Sequence, residues 1–235
     1  MELKSKEYNE VFSGLSAREI LQYVLQRHGS KAVFSSSLGA EDQVITHLMM
    51  QLDKSSRVFT LDTGRLFQET YELIEKTEAR YGMRMEVYFP DQKAVEEMVN
   101  SKGINLFYHS IENRKLCCEI RKILPLRRAL KGNEVWITGL RREQSPTRTD
   151  MKHAEWDAEM KIIKVNPLLD WTQDKVWQFI HEFKIPYNPM HNKGFPSIGC
   201  QPCTRAVLPD EDIRAGRWWW ENPDTKECGL HGKKN

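Results

Sequence analysis

Five cysteines fall into three groups along the 235 residues, and the groups differ in the chemistry open to them. Cys117 and Cys118 are adjacent, Cys200-Gln201-Pro202-Cys203 is a C-x-x-C, and Cys228 stands alone in Thr225-Lys226-Glu227-Cys228-Gly229-Leu230-His231. Four thiolates can hold zinc or an iron–sulfur cluster. Structural zinc favours two C-x-x-C knuckles. Adjacent cysteines on a helix diverge, which suits tetrahedral zinc badly, whereas a larger cluster takes both. Using the first four as ligands leaves Cys228 over. Its segment is short and polar, so it is expected to be mobile, and an accessible thiolate is a strong nucleophile. The ordinary alternative is an idle exposed thiol, because a lone cysteine outside a motif is weak ground for catalysis.

Three further stretches could hold an anion. Ser35-Ser36-Ser37-Leu38-Gly39-Ala40-Glu41-Asp42 joins a strand pattern to a helix pattern, a layout that aims backbone N–H groups at a phosphate; an ordinary βα turn reads the same way. Leu61-Asp62-Thr63-Gly64-Arg65 ends a second strand. Gly139 to Arg148 carries Arg141, Arg142 and Arg148, and guanidinium pairs bidentately with phosphate or sulfate oxygens; the alternative is a solvated loop. Arg121-Lys122 follows the cysteine pair. Arg214 and Arg217 lie three apart, on one face if helical, before Trp218-Trp219-Trp220, which suggests packing against the body of the protein.

The elements that must position these groups are legible. Ser16 is placed to cap a helix ending at His28. Strand patterns run over Ala32–Ser37, Arg57–Asp62, Met85–Phe89, Val135–Leu140 and Lys161–Val165. Thr172 or Asp170 is placed to cap a helix carrying Val176, Trp177, Phe179 and Ile180. Strands alternating with helices imply a parallel sheet with right-handed crossovers. Ligands bind beyond the carboxyl ends of such strands, so the loops after Ser37, Asp62 and Leu140 are expected to meet at one site. With 40% hydrophobic residues the chain can bury one substantial core. Residues 1–215 read as a single α/β nucleotide-binding and metal domain, and 216–235 as a mobile tail. A net charge of +2 is too even for non-specific nucleic-acid binding. No apolar run spans a bilayer and MELKSKEYNE lacks a signal-peptide core, so a cytoplasmic location is expected. In a reducing compartment, metal or redox roles outrank disulfides.

These stretches, in this order, resemble an assimilatory sulfonucleotide reductase, the APS/PAPS reductase family, over about Ala32 to His231. The Cys-Cys and C-x-x-C pairs resemble its [4Fe-4S] branch, which typically reduces adenosine 5′-phosphosulfate. The resemblance implies an adenine nucleotide alpha-hydrolase-like (PP-loop) α/β fold, with a central, mainly parallel sheet flanked by helices. It implies nucleotide contacts from Ser35, Ser36, Ser37, Gly39, Glu41 and Asp42 and from Leu61, Asp62, Thr63, Gly64 and Arg65. Phosphosulfate contacts are implied for Lys122, Arg148, Arg214 and Arg217 and the catalytic role for Cys228, while Arg141 and Arg142 of the arginine-rich loop and His231 beside Cys228 complete the candidate substrate-binding set. Cys117, Cys118, Cys200 and Cys203 would ligate the [4Fe-4S] cluster. The partner implied is a reduced thioredoxin or glutaredoxin-like dithiol protein, and the substrate a small sulfonucleotide. No nucleic acid or membrane is expected, and a homo-oligomer is left open. The first loop departs from the SGGxDS of ATP pyrophosphatases, which counts against ATP cleavage. The rival readings are a reductase of 3′-phosphoadenosine 5′-phosphosulfate, an ATP-using PP-loop sulfur transferase, and a zinc-stabilised nucleotide-binding module.

Overall fold

In the computed structural model, which describes residues 2–144 and 149–221, the helix expected after Ser16 begins where the local chemistry places it. The Ser16 hydroxyl accepts from the Glu19 N–H, and the Glu19 carboxylate accepts from the Ser16 N–H at 2.7 Å. This capping box satisfies two donors that the first helical turn leaves unpaired. The helix, α2 (Ala17–His28), follows α1 (Glu2–Phe12) and buries Ile20, Leu21, Val24 and Leu25. Then come β1 (Ala32–Ser35), α3 (Ala40–Leu52), β2 (Arg57–Leu61), α4 (Gln68–Tyr81), β3 (Glu86–Tyr88) and α5 (Gln92–Lys102). The chain continues through α6 (Ile111–Cys118), α7 (Leu124–Leu130), β4 (Val135–Ile137), β5 (Ala154–Asp157), β6 (Ile162–Val165) and α8 (Gln173–Glu182). Thr172, not Asp170, caps α8 by accepting from the Lys175 N–H.

The sheet order is β3-β2-β1-β4-β6-β5. β1 pairs in parallel with β2 and β4, and β4 with β6. The sheet is therefore mainly parallel, with one exception: β5 runs antiparallel to β6, with Ala154 opposite Val165 and Asp157 opposite Ile162. Residues 158–161 are too few for a crossover, and a short turn can join only antiparallel neighbours. β5 is the strand farthest from β3 in that order. Its outer edge at Ala154 is met by Asn9 of α1, whose side-chain amide donates to the Ala154 carbonyl at 2.8 Å and accepts from its N–H at 3.0 Å.

The chain forms two compact units: residues 1–60, 72–86 and 130–188, and residues 61–71, 87–129 and 189–235. In the first, the sheet's central strands and α2, α3 and α8 enclose a core including Phe34, Val44, Ile45, Ile137, Val165 and Val176. Each such fully buried side chain contributes about 1.5–3 kcal/mol through apolar area withdrawn from water. The second has a smaller cluster in which Met98, Leu106, Phe107 and Trp218 pack with Cys117, Cys200 and Cys203. Trp218 is 1% exposed, while its neighbour Trp219 is exposed. Among the described residues, no helix is long and apolar enough to cross a membrane.

Candidate active site

In the first unit, the loop after β1 closes on itself. Ser36 N–H donates to the Phe59 carbonyl at 2.8 Å, and Ser36 Oγ accepts from the Leu38 N–H at 3.1 Å. Ser35 Oγ accepts from the Trp136 indole at 2.7 Å. Ser37 donates twice to Asp42 Oδ2, from its N–H at 2.6 Å and its hydroxyl at 2.7 Å. Leu38 sits at φ +62°, a left-handed conformation that costs a non-glycine residue about 1–2 kcal/mol. Burial pushes Asp42 up to about 7; the Glu41 carboxylate adds to the rise and the Ser37 bonds oppose it.

The loop after β4, in the same unit, is joined to this one. Arg141 is 2% exposed and bonds Glu41 Oε1 through Nε at 2.9 Å, with Nη1 reaching the Trp171 carbonyl at 3.1 Å. Glu143 lies 3.3 Å from the same Nη1. Arg142 pairs with Asp170 and donates to the Met151 carbonyl at 3.1 Å. Both arginines are thus engaged by groups of the protein itself. Arg148 lies outside the described residues, as do Cys228 and His231.

The stretch from Leu61 to Arg65 belongs to the second unit. Asp62 Oδ1 accepts from the Gly64 N–H at 2.7 Å and from the Tyr71 hydroxyl at 2.9 Å, a side-chain-to-backbone turn of the kind aspartate favours. Burial, followed by this bond to Asp62, pushes the Tyr71 phenol up to about 12. Gly64 has φ +69°, which glycine adopts without a Cβ penalty. Thr63 ties this turn to the cysteines: its hydroxyl lies 3.2 Å from Cys200 Sγ, and its carbonyl accepts from Arg121 Nη1 at 2.7 Å. The Gln201 N–H donates to the Arg65 carbonyl at 2.8 Å.

Cys117, Cys118, Cys200 and Cys203 line one pocket together with Arg65, Arg121 and Lys122. All four are buried free thiols. Cys117 and Cys118 end α6, and a π-helical turn, Glu119–Ile123, follows at once. That wider turn separates α6 from α7; such turns occur often at functional sites. Burial, then the neighbouring Cys200, pushes the Cys203 thiol up to about 12, against Lys122 and Arg217. Burial likewise raises Cys117, with Arg121 opposing. Thiolates at Cys117 and Cys203 would therefore be costly here, and a positively charged inorganic centre bound to the sulfurs would supply the missing compensation. Among the described residues, no group of three or more His, Cys, Asp or Glu side chains is arranged to hold a metal ion. The donor set nonetheless fits a thiolate-ligated group that fills the space between the sulfurs.

Arg217 approaches this region where glycine makes room. A Cβ on Gly199 would lie 2.4 Å from Arg217 Nη2. Its guanidinium stacks 4.9 Å from the Trp218 ring centroid, and its buried Nε has no hydrogen-bond partner among the described residues. Arg214 and Arg217 do not share a helical face: Arg217 forms an isolated antiparallel bridge with Thr204. A side chain on Gly216 would sit 2.3 Å from the Arg205 carbonyl, so this turn is held close against residue 205. Sequence reasoning missed Arg114 as a site residue. It is 1% exposed, three and four positions before the cysteine pair, and bonds Glu221 through Nε at 2.9 Å and Nη2 at 2.7 Å. The i, i+3, i+4 spacing with Cys117 and Cys118 was the available signal.

A mainly parallel α/β sheet with a serine-rich strand-to-helix turn, and a cation-ringed cavity of four thiols, define a nucleotide-type fold carrying a thiolate site. Residues 31–206 match the phosphoadenosine phosphosulfate reductase domain, and the chain belongs to that family. It is 52% identical over 219 residues to the adenosine 5′-phosphosulfate reductase of Allochromatium vinosum, covering 93% of this chain and 85% of that one. It is 50% identical to the protein of that name from Burkholderia cepacia, covering 90% and 84%. Among solved structures, a phosphoadenylyl-sulfate reductase from Candida auris in a phosphate complex superposes with TM-score 0.75 at 26% identity, covering 88% of this chain and 98% of that one. The Candida glabrata FMN adenylyltransferase, at TM-score 0.56 and 15% identity over 95% and 83% of the two chains, shares the fold.

Proposed function

We propose that the chain reduces adenosine 5′-phosphosulfate to sulfite and AMP, with a reduced thioredoxin or glutaredoxin-like dithiol protein as electron donor, in the cytoplasm. The observation that carries this reading is a four-thiol cavity in a chain half identical, over most of its length, to proteins named for that reaction. The Cys228 thiolate attacks the sulfur of the phosphosulfate. A Cys–S–SO₃⁻ bond forms, the S–O bond to the nucleotide phosphate breaks, and AMP leaves with the electron pair of that bond. Attack brings two negative species together, so cations near the sulfonate and the leaving phosphate lower the barrier. Lys122, Arg148, Arg214 and Arg217 take that role. One partner thiolate then attacks Cys228 Sγ and releases sulfite, leaving a mixed disulfide. The second partner thiol displaces Cys228, so two electrons come from the dithiol and the partner ends oxidised.

Cys117, Cys118, Cys200 and Cys203 would hold a [4Fe-4S] cluster, since two neighbouring cysteines on α6 suit a multi-iron centre better than a single tetrahedral ion. When bound, it supplies a fixed charge and a frame for the second unit. No electron passes through it in this scheme.

Cys228→Ser is expected to abolish sulfite release and the added SO₃ on the C-terminal peptide, while nucleotide binding and the brown chromophore persist. A Cys228→Ser protein that still forms sulfite refutes the mechanism. The rival substrate, the 3′-phosphorylated nucleotide, is the one named in the family description and in the Candida auris neighbour. Sulfite assays on each nucleotide, run in competition, decide between the two.

A further inference from the structure

The loop after β1 has the shape of an anion site, a left-handed residue between a strand and a helix N-terminus, yet four of its donors are already taken. Ser36 N–H is taken by Phe59, Leu38 N–H by Ser36 Oγ, and both Ser37 donors by Asp42. The second oxygen of Asp42 rests where Gly139 has no side chain: a Cβ there would lie 2.1 Å from Oδ1. Asp42 is 7% exposed, on the first turn of α3. A buried carboxylate has been placed where a bound phosphate oxygen would otherwise accept those hydrogen bonds, and the bare Cα of Gly139 is what lets it fit.

We propose that Asp42, admitted by Gly139, is a specificity determinant that fills the β1–α3 loop with the chain's own anion and so excludes pyrophosphate and the terminal phosphates of nucleoside triphosphates. The physical argument is occupancy plus charge. An incoming phosphate would have to take the Ser37 donors from a carboxylate that already accepts both, and would meet its negative charge at close range. The inference concerns which anions the loop accepts and does not rest on the reduction proposed above.

The test is isothermal titration of the intact protein with inorganic pyrophosphate and with ATP, at about pH 8 so that Asp42 is charged. Wild-type protein is expected to bind pyrophosphate and ATP only weakly. Asp42→Ala empties the loop, and Gly139→Ala pushes the carboxylate out of it. Each is expected to raise pyrophosphate and ATP affinity at least tenfold, about 1.4 kcal/mol. Asp42→Asn keeps an oxygen in place for Ser37 and is expected to gain less than Asp42→Ala. Submicromolar pyrophosphate binding by wild-type protein overturns the proposal without any variant. So does a folded Asp42→Ala protein with unchanged pyrophosphate affinity.

Discussion

The buried pair between Arg114 and Glu221 makes the sharpest stability prediction. The side chains are 1% and 3% exposed and the closest N···O distance is 2.7 Å. At an effective dielectric of about 20, that separation gives roughly 6 kcal/mol of attraction, most of it cancelled by the cost of withdrawing both charges from water. Removing one partner strands the other. Glu221→Leu leaves a buried guanidinium whose carboxylate is gone, and is expected to destabilise the protein by about 3–5 kcal/mol. The remaining stacking of Arg114 over Trp218, at 4.7 Å, offsets only about 1 kcal/mol of that. Arg114→Leu should cost a similar amount. The double variant Arg114→Leu/Glu221→Leu leaves no stranded charge and should recover most of the loss. The assay is urea unfolding followed by tryptophan fluorescence and far-UV circular dichroism, with the four proteins forming a double-mutant cycle. A Glu221→Leu protein within 1 kcal/mol of wild type, or a double variant no more stable than the singles, refutes the reasoning.

Other outcomes follow from the same geometry. Because Asp42 is raised from an ordinary 3.8 to about 7, between about pH 4 and 7 the folded state holds a proton that the unfolded chain releases. Its contribution to stability is complete below about pH 4 and is lost as pH rises through about 7. Asp42→Asn should flatten the wild-type decline in urea midpoint across that window, and an unchanged slope would remove Asp42 as its cause. Gly199→Ala should displace Arg217 and weaken sulfonucleotide binding about tenfold with the visible spectrum intact; an unchanged Kd would take Arg217 out of the substrate site. If the four cysteines hold the proposed cluster, stripping it should shift tryptophan emission to the red, because Trp218 lines the same pocket. Identical emission with and without iron would show that the cavity walls do not depend on it.

Much of the frame is legible in residue types alone. β1, β2, β4 and β6 are apolar runs ended by small residues, and Ser16 and Thr172 are good acceptors just before periodic helices. The missed elements lack those signals. α5 buries only Met98, so no apolar stripe marks it, and β5 reads Ala-Glu-Trp-Asp, polar enough to pass for a loop. The cysteine spacing points to one four-sulfur locus, and the four do line one cavity. The arginines are harder to read: Arg141 and Arg142 have the composition of an anion site, and Glu41 and Asp170 pair with them in this structure. A carboxylate a hundred positions away leaves no local trace. The same holds for Asp42, whose capture of Ser37 depends on backbone geometry that spacing does not encode.

The amide of Asn9 has a consequence for assembly. An outermost strand normally offers unpaired backbone groups on which another copy could continue the ribbon. On the β5 side, a single asparagine satisfies both backbone groups of Ala154, and the opposite border is a strand of only three residues. Growth of the sheet from the β5 edge would first have to evict that side chain.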